Sequence, residues 1–186
     1  IVHYVNGEYK GLLNAREPNN KHFVEANYGL KDDEIDQFEI SAEGFTQKCG
    51  TEESFRYWGE LAAQSENPEK YEELCNMVDI DEYINYMAVE LYLGSDDWPH
   101  NNAKAYKPTR ESGKFRFVLF DLDHSFNMTS ETFTFFANKR GESKIVARFL
   151  NMLKNDEFRK QFIDTYCLVA GSVFVPERCN AIIDSM

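Results

Sequence analysis

The chain has 186 residues, 42% of them hydrophobic and 28% charged, which is the size and mix of one globular domain and excludes a disordered or fibrous protein. Its 32 acidic and 20 basic side chains leave a net charge of −12, which repels a phosphate backbone and argues against direct nucleic-acid binding. A chain this acidic that handles phosphate needs a divalent cation between the two sets of negative charge.

The first segment, "IVHYVNGEYKGLLNARE", alternates apolar and polar residues around Asn6-Gly7, the pattern of a hairpin closed by a type I′ turn and ended at Pro18. "NNKHFVEANYG" reads as a short helix stopped by Gly29. The acidic stretch Lys31 to Gly50 has no clean period and predicts irregular chain with one short strand near Phe38 to Ile40. Phe55, Trp58, Leu61 and Ala62 then recur at helical spacing behind Thr51 as N-cap, and a second short helix starts at Pro68.

"DIDEYINYMAVELYLG" carries the clearest helical stripe, Ile84, Met87, Ala88 and Leu91, with Asp79 or Asp81 as cap and Gly94 as stop. A strand near Ala103 to Lys107 and the strand "KFRFVLFD" predict a second hairpin. After Asn127 a polar loop is expected to lead to helices at about 144–154 and 157–171 and a third from Pro176. The layout is α+β, small antiparallel hairpins with a mostly helical C-terminal part, in one domain over 1–186: hairpin 1–18, mainly helical 19–93, loop and hairpin 94–126, helical 127–186. No run of apolar residues is long enough to span a bilayer. Cys49, Cys75, Cys167 and Cys179 form no CxxC, and their spacing fits free thiols as well as disulfides.

Two acidic groups stand out. Asp96 and Asp97 follow the C-terminal end of the best helix, where the macrodipole disfavours carboxylates, so a cation or a hydrogen-bond network is needed to hold them. Asp97 precedes Asn102 by five residues in "DWPHNN", a spacing similar to the Asp and Asn of a kinase catalytic loop, one accepting the acceptor hydroxyl's proton and the other holding metal. Asp121 and Asp123 end the apolar strand, where alternation puts both on one side, and two such oxygens suit Mg²⁺ or Mn²⁺ with room left for phosphate. Lys104 and Arg116 flank these groups as candidate phosphate neighbours or as surface residues. Glu17 is a candidate for orienting a nucleotide or for a solvated strand end. "VLFDLDHSF" also resembles the DxD of haloacid-dehalogenase-like phosphatases, although helical rather than parallel-strand sequence follows it. His100 and His124 raise a mixed His/carboxylate metal site as a further reading. "NMT" at Asn127 matches a glycosylation sequon.

"VNGEYKGLLNARE", "YMAVELYLG" leading into "SDDWPHNNAKAYK", and "GKFRFVLFDLDHSF" together resemble the spore-coat protein H (CotH) kinase family, over most of Val2 to Phe126. The resemblance implies an atypical protein-kinase-like fold and transfer of the γ-phosphoryl group of ATP to a protein Ser or Thr, outside the cytoplasm. It implies Asp97 as the catalytic carboxylate, Asn102, Asp121 and Asp123 as metal-holding residues, and Asp96, Asn101 and Lys104 in support. Relatives carry a basic, Gly-containing stretch with a phosphate-binding lysine ahead of "NGEY", so this chain is expected to be truncated at its N-terminal side. A non-catalytic surface or spore-coat interaction module is the alternative the resemblance leaves open.

Overall fold

The computed structural model describes residues 1–13, 17–126 and 131–186; the sequon at Asn127 lies outside them. Strands β1 (Val2–Val5) and β2 (Glu8–Leu12) form the expected first hairpin, and Asn6 and Gly7 both take positive φ, as a type I′ turn requires. The second strand ends at Leu12, well before Pro18, and the ladder closes with Leu13 N–H on the Ile1 carbonyl at 2.8 Å. Helix α1 (Lys21–Tyr28) starts at Asn20, whose side chain accepts the His22 N–H, and stops at Gly29 in the left-handed region.

The segment expected to be irregular with one short strand near Phe38 to Ile40 instead forms a full second hairpin, β3 (Ile35–Ser41), which contains that strand, and β4 (Gly44–Cys49), inside the region expected to be mainly helical. With β5 (Ala103–Pro108) and β6 (Arg116–Val118) it makes a four-stranded antiparallel sheet in the order β4-β3-β5-β6. The reason the strand is longer than expected is visible in β3 itself. Ile35, Phe38 and Ile40 are buried, but so are the polar Asp36 and Gln37, so the strand shows neither alternation nor a continuous apolar run.

The start of α2 (Glu53–Ala63) matches the expected Thr51 cap only in part. The N-cap position is Glu52, which makes no side-chain cap bond, while the Thr51 hydroxyl accepts the Glu53 N–H at 3.4 Å and Asp36 reaches over from β3 to brace the junction, accepting the Thr51 N–H at 2.8 Å and the Ser54 hydroxyl at 2.7 Å. Helix α3 (Pro68–Met77) is capped by Asn67, and α4 (Ile80–Leu93) runs from Asp79 to a left-handed Gly94. Helix α5 (Thr132–Asn138) replaces part of the polar loop expected there, capped by Glu131, which accepts the Phe133 and Thr134 N–H groups. Helices α6 (Lys144–Met152), α7 (Asp156–Leu168) and α8 (Pro176–Ser185) complete the chain.

Helix α4 is buried on nearly every side, including Tyr83, Tyr86, Met87, Leu91 and the carboxylate-bearing Glu90. Rings from the sheet and from three helices meet it: Phe117 stacks on Tyr86 at 4.7 Å, and Trp58 packs edge-on to Tyr83 at 5.4 Å. This packing fixes the end of α4, and the loop that follows Gly94 carries the first acidic pair. The four cysteines are all free thiols. Among the described residues no helix is long and apolar enough to cross a membrane.

Candidate functional site

The loop from Ser95 to Asn102 is held from within. Trp98, next to Asp97, is buried; its indole N–H donates to the Tyr86 hydroxyl at 2.8 Å, and its ring stacks on Phe136 of α5 at 5.2 Å. The backbone N–H of Asp97 donates to the hydroxyl of buried Ser95 at 3.3 Å. One carboxylate oxygen of Asp97, Oδ2, then accepts the side-chain amides of Asn101 at 3.0 Å and Asn102 at 2.9 Å. Asn101 in turn accepts the Ala42 N–H from the β3–β4 turn at 3.0 Å, which ties the loop to the sheet. Charge at the negative end of α4 is thus balanced by amide donors, the hydrogen-bond network that the helix dipole demands.

The second acidic pair is placed differently from the expectation. Strand β6 stops at Val118, opposite Lys104, because β5 begins at Ala103 and offers little further backbone to pair with. Residues 119–126 are therefore loop, and Asp121 has a φ of 55°, so alternation along a strand cannot describe Asp121 and Asp123. Both nevertheless line one cavity of about 490 Å³, together with Glu17, Asn19, Phe120 and Leu122. Glu17 is oriented there by the side-chain amide of Asn27, 2.9 Å from its Oε1.

The two acidic groups meet through His124. Its Nδ1 lies 2.8 Å from Asp96 Oδ1, and the Phe126 N–H donates to the Leu93 carbonyl at 2.6 Å, so the loop that follows β6 is fastened to the end of α4. The hydrogen bond to Asp96 raises the His124 pKa above the ordinary imidazole value, and the charges of Asp96, Asp123 and Asp97 add to it. His100, the other histidine weighed as a ligand, lies beside Phe135 instead, and its Nδ1 is buried without a hydrogen-bond partner among the described residues.

Among the described residues, three of the four non-glycine residues with positive φ, Asn102, Asp121 and Phe126, fall in these two loops. Asn and Asp tolerate the left-handed region better than most residues, but each such position still costs about 1 kcal/mol and persists only where surrounding contacts enforce it.

Lys104 stands between this site and a neighbouring cavity of about 300 Å³ that shares Asn19 with the first. It is paired with Glu39 at 3.1 Å, sits over the Phe120 ring at 4.9 Å and has a largely covered side chain. Glu39 also takes Lys48 at 2.8 Å. The two lysines hold its carboxyl below the usual range against the opposing effect of partial burial. The Glu39 contact was not foreseen from sequence because nothing local pairs the strand near Phe38 to Ile40 with β5, which is what brings Lys104 beside it. Arg116 lies at the opposite end of the β5–β6 hairpin, paired with Asp79 at 3.0 Å, and does not flank the carboxylates.

Among the described residues no three His, Cys, Asp or Glu side chains are grouped closely enough to enclose a metal ion by themselves. The donor set is instead an open one of hard oxygens, with Asp121 and Asp123 on one loop and Glu17 lining the same cavity, whereas Asn102 does not line it and bonds Asp97. Mg²⁺ commonly takes one or two carboxylates and completes its octahedron with water and phosphate oxygens, so these residues fit it.

Fold and site define an α+β protein whose carboxylates gather on two loops fastened beside the end of its central helix. The chain belongs to the CotH kinase protein family, whose model matches residues 1–186. No curated protein and no solved structure matches it.

Proposed function

We propose that the protein is a metal-dependent kinase that transfers the γ-phosphoryl group of ATP to a Ser or Thr hydroxyl of a protein, acting outside the cytoplasm. The observation that carries this reading is the fastening of two unlike acidic groups to one another, an amide-held Asp97 and a two-Asp loop, by the Asp96–His124 contact. Membership of a kinase family supports the direction of the chemistry.

In this reading Asp97 keeps Oδ2 on its two amides and turns Oδ1 to the acceptor hydroxyl. The hydroxyl oxygen bonds to the γ-phosphorus as the bond from that phosphorus to the ADP oxygen breaks, and the hydroxyl proton passes to Asp97. Asp121, Asp123 and the Asn102 carboxamide oxygen would hold Mg²⁺ or Mn²⁺, which supplies positive charge to the phosphate oxygens. Glu17 orients the nucleotide across the same cavity, while Lys104, stiffened by Glu39, faces the phosphates. Asp96 and Asn101 are positioning residues. The atypical kinase-like fold and a spore-coat association belong to the same reading.

Calorimetric titration of an ATP analogue with Mn²⁺ or Mg²⁺ tests it. Metal-dependent binding by the intact protein that disappears in Asp121→Ala supports the kinase, and label transfer from γ-labelled ATP to a protein hydroxyl completes the case. Binding without metal dependence, or none, overturns it in favour of a non-catalytic interaction module.

A further inference from the structure

At the opposite end of β5 from Asn102, about 17 Å along the strand, the β5–β6 turn builds a second concave site. Its cavity, about 450 Å³, is lined by Tyr28, Asp79, Tyr106, Arg110, Lys114 and Arg116 among others. Three cations converge there in a chain of net charge −12. Asp79 is already engaged by Arg116 at 3.0 Å, and among the described residues no carboxylate lies within ion-pair reach of Arg110 or Lys114. The lining therefore carries two uncompensated positive charges.

The turn that presents them is tightly built. Gly113 N–H donates to the Arg110 carbonyl at 2.8 Å, and a Cβ at Gly113 would lie 2.0 Å from the Pro108 carbonyl oxygen, so only glycine lets the chain double back so closely. Arg110 and Lys114 are thereby set on the two sides of one short turn. Arg116 spends one guanidinium nitrogen on Asp79 and keeps the remaining N–H groups of its fork. Opposite them, Tyr28 and Tyr106 pack with ring centroids 5.4 Å apart and give the cavity an aromatic wall.

We propose that this pocket binds the phosphate group of a phosphorylated side chain on a partner protein. A phosphate monoester carries close to two negative charges at neutral pH, which matches the uncompensated charge of the lining, and arginine forks suit its oxygens. The cavity is far larger than a phosphate ion, and the tyrosine wall accommodates the carbon portion of the side chain and its backbone. The site shares no residue with the candidate catalytic loops, so it stands apart from the transfer reaction proposed above.

The test is calorimetry on the intact protein with three probes: a short phosphoserine peptide, the same peptide unphosphorylated, and inorganic phosphate. The expected result is binding of the phosphopeptide at least tenfold tighter than of either other probe, weakened by added salt. An Arg110→Glu/Lys114→Glu variant, whose melting curve verifies that it folds, loses at least tenfold in that affinity, whereas Asp121→Ala retains it. In ¹H–¹⁵N spectra the Gly113 amide should shift on titration. Inorganic phosphate binding as tightly as the phosphopeptide, phosphopeptide affinity unchanged in the double variant, shifts confined to residues 121–124, or no binding by any probe would each overturn the proposal.

Discussion

Asp97 gives one oxygen to two amides, and in the proposed reaction the other oxygen serves the acceptor hydroxyl, a division of labour that would separate binding from turnover. An Asp97→Asn variant retains the side-chain shape and an acceptor oxygen for Asn101 and Asn102 but loses the proton acceptor. We expect metal-dependent nucleotide affinity to stay within about twofold while transfer falls by about 10²- to 10⁴-fold. Equilibrium binding and single-turnover label transfer on the same preparation distinguish the two effects, and an equal loss in both would show that Asp97 serves binding instead. The Asp97–Asn102 spacing could be read from sequence because a loop keeps neighbours near in space. The Asp96–His124 contact could not, since 28 residues separate the partners and only the fold brings them to 2.8 Å.

At the scale of elements, the short β5–β6 ladder and the Asp36 brace at the start of α2 decide where the loops lie. Asp36 accepts from Thr51 and Ser54 while buried in β3, so Asp36→Ala removes two hydrogen bonds and leaves their donors to find others. The expected loss is about 2 kcal/mol in urea unfolding. Gly50→Ala strikes the same junction by another route. Gly50 has a φ of +66°, and an added Cβ would fall 2.1 Å from Asp36 Oδ1 and 2.6 Å from the Ile35 carbonyl oxygen. We expect it to lower the melting temperature as well, and near-wild-type stability of both variants would show that the junction contributes little. The Asp36 brace was illegible in the sequence because a contact supplied by another element leaves no local signature at the helix it supports. The β6 boundary was missed for a related reason: "FVLF" is apolar throughout, yet strand length is set by the partner, and β5 ends the pairing at Val118.

Across the whole molecule, buried carboxylates set the response to pH. Burial pushes Glu82 up to about 7, although both its oxygens lie 3.1 Å from the Phe117 N–H, and it pushes Glu90 up to about 8. In the unfolded chain both ionise near the ordinary glutamate value, so between roughly pH 4.5 and 8 the folded state binds more protons than the unfolded one. Their contribution is therefore full below about pH 4.5 and is lost as pH rises through 7 and 8. The raised pKa of His124 acts with the same sign, its stabilisation present below the unfolded imidazole value and lost as pH rises through the folded one. Thermal melts from pH 5 to 9 should show falling stability toward alkaline pH, and Glu82→Gln with Glu90→Gln should flatten the slope and raise the melting temperature near pH 8.5. A slope unchanged in that double variant would assign the pH dependence to other groups.

The sequence by itself determined the first hairpin, α1, the central helix with its glycine stop, the β5–β6 pairing, the family and the residue types of the candidate site. Each of these is written in neighbouring residues: a turn dipeptide, a helical period, a cap, a run of motifs. Only the tertiary structure decided that β3 lies at the heart of the sheet with polar residues buried in it, and that Asp36 braces the start of a helix outside its own strand. It also decided that Lys104 is held by Glu39, that Asp121 and Asp123 share a cavity with Glu17, and that Arg116 belongs to a cationic pocket at the far end of the sheet. Those arrangements depend on which surfaces exclude water and which distant backbones pair, and such contacts between separated residues leave no period in the chain.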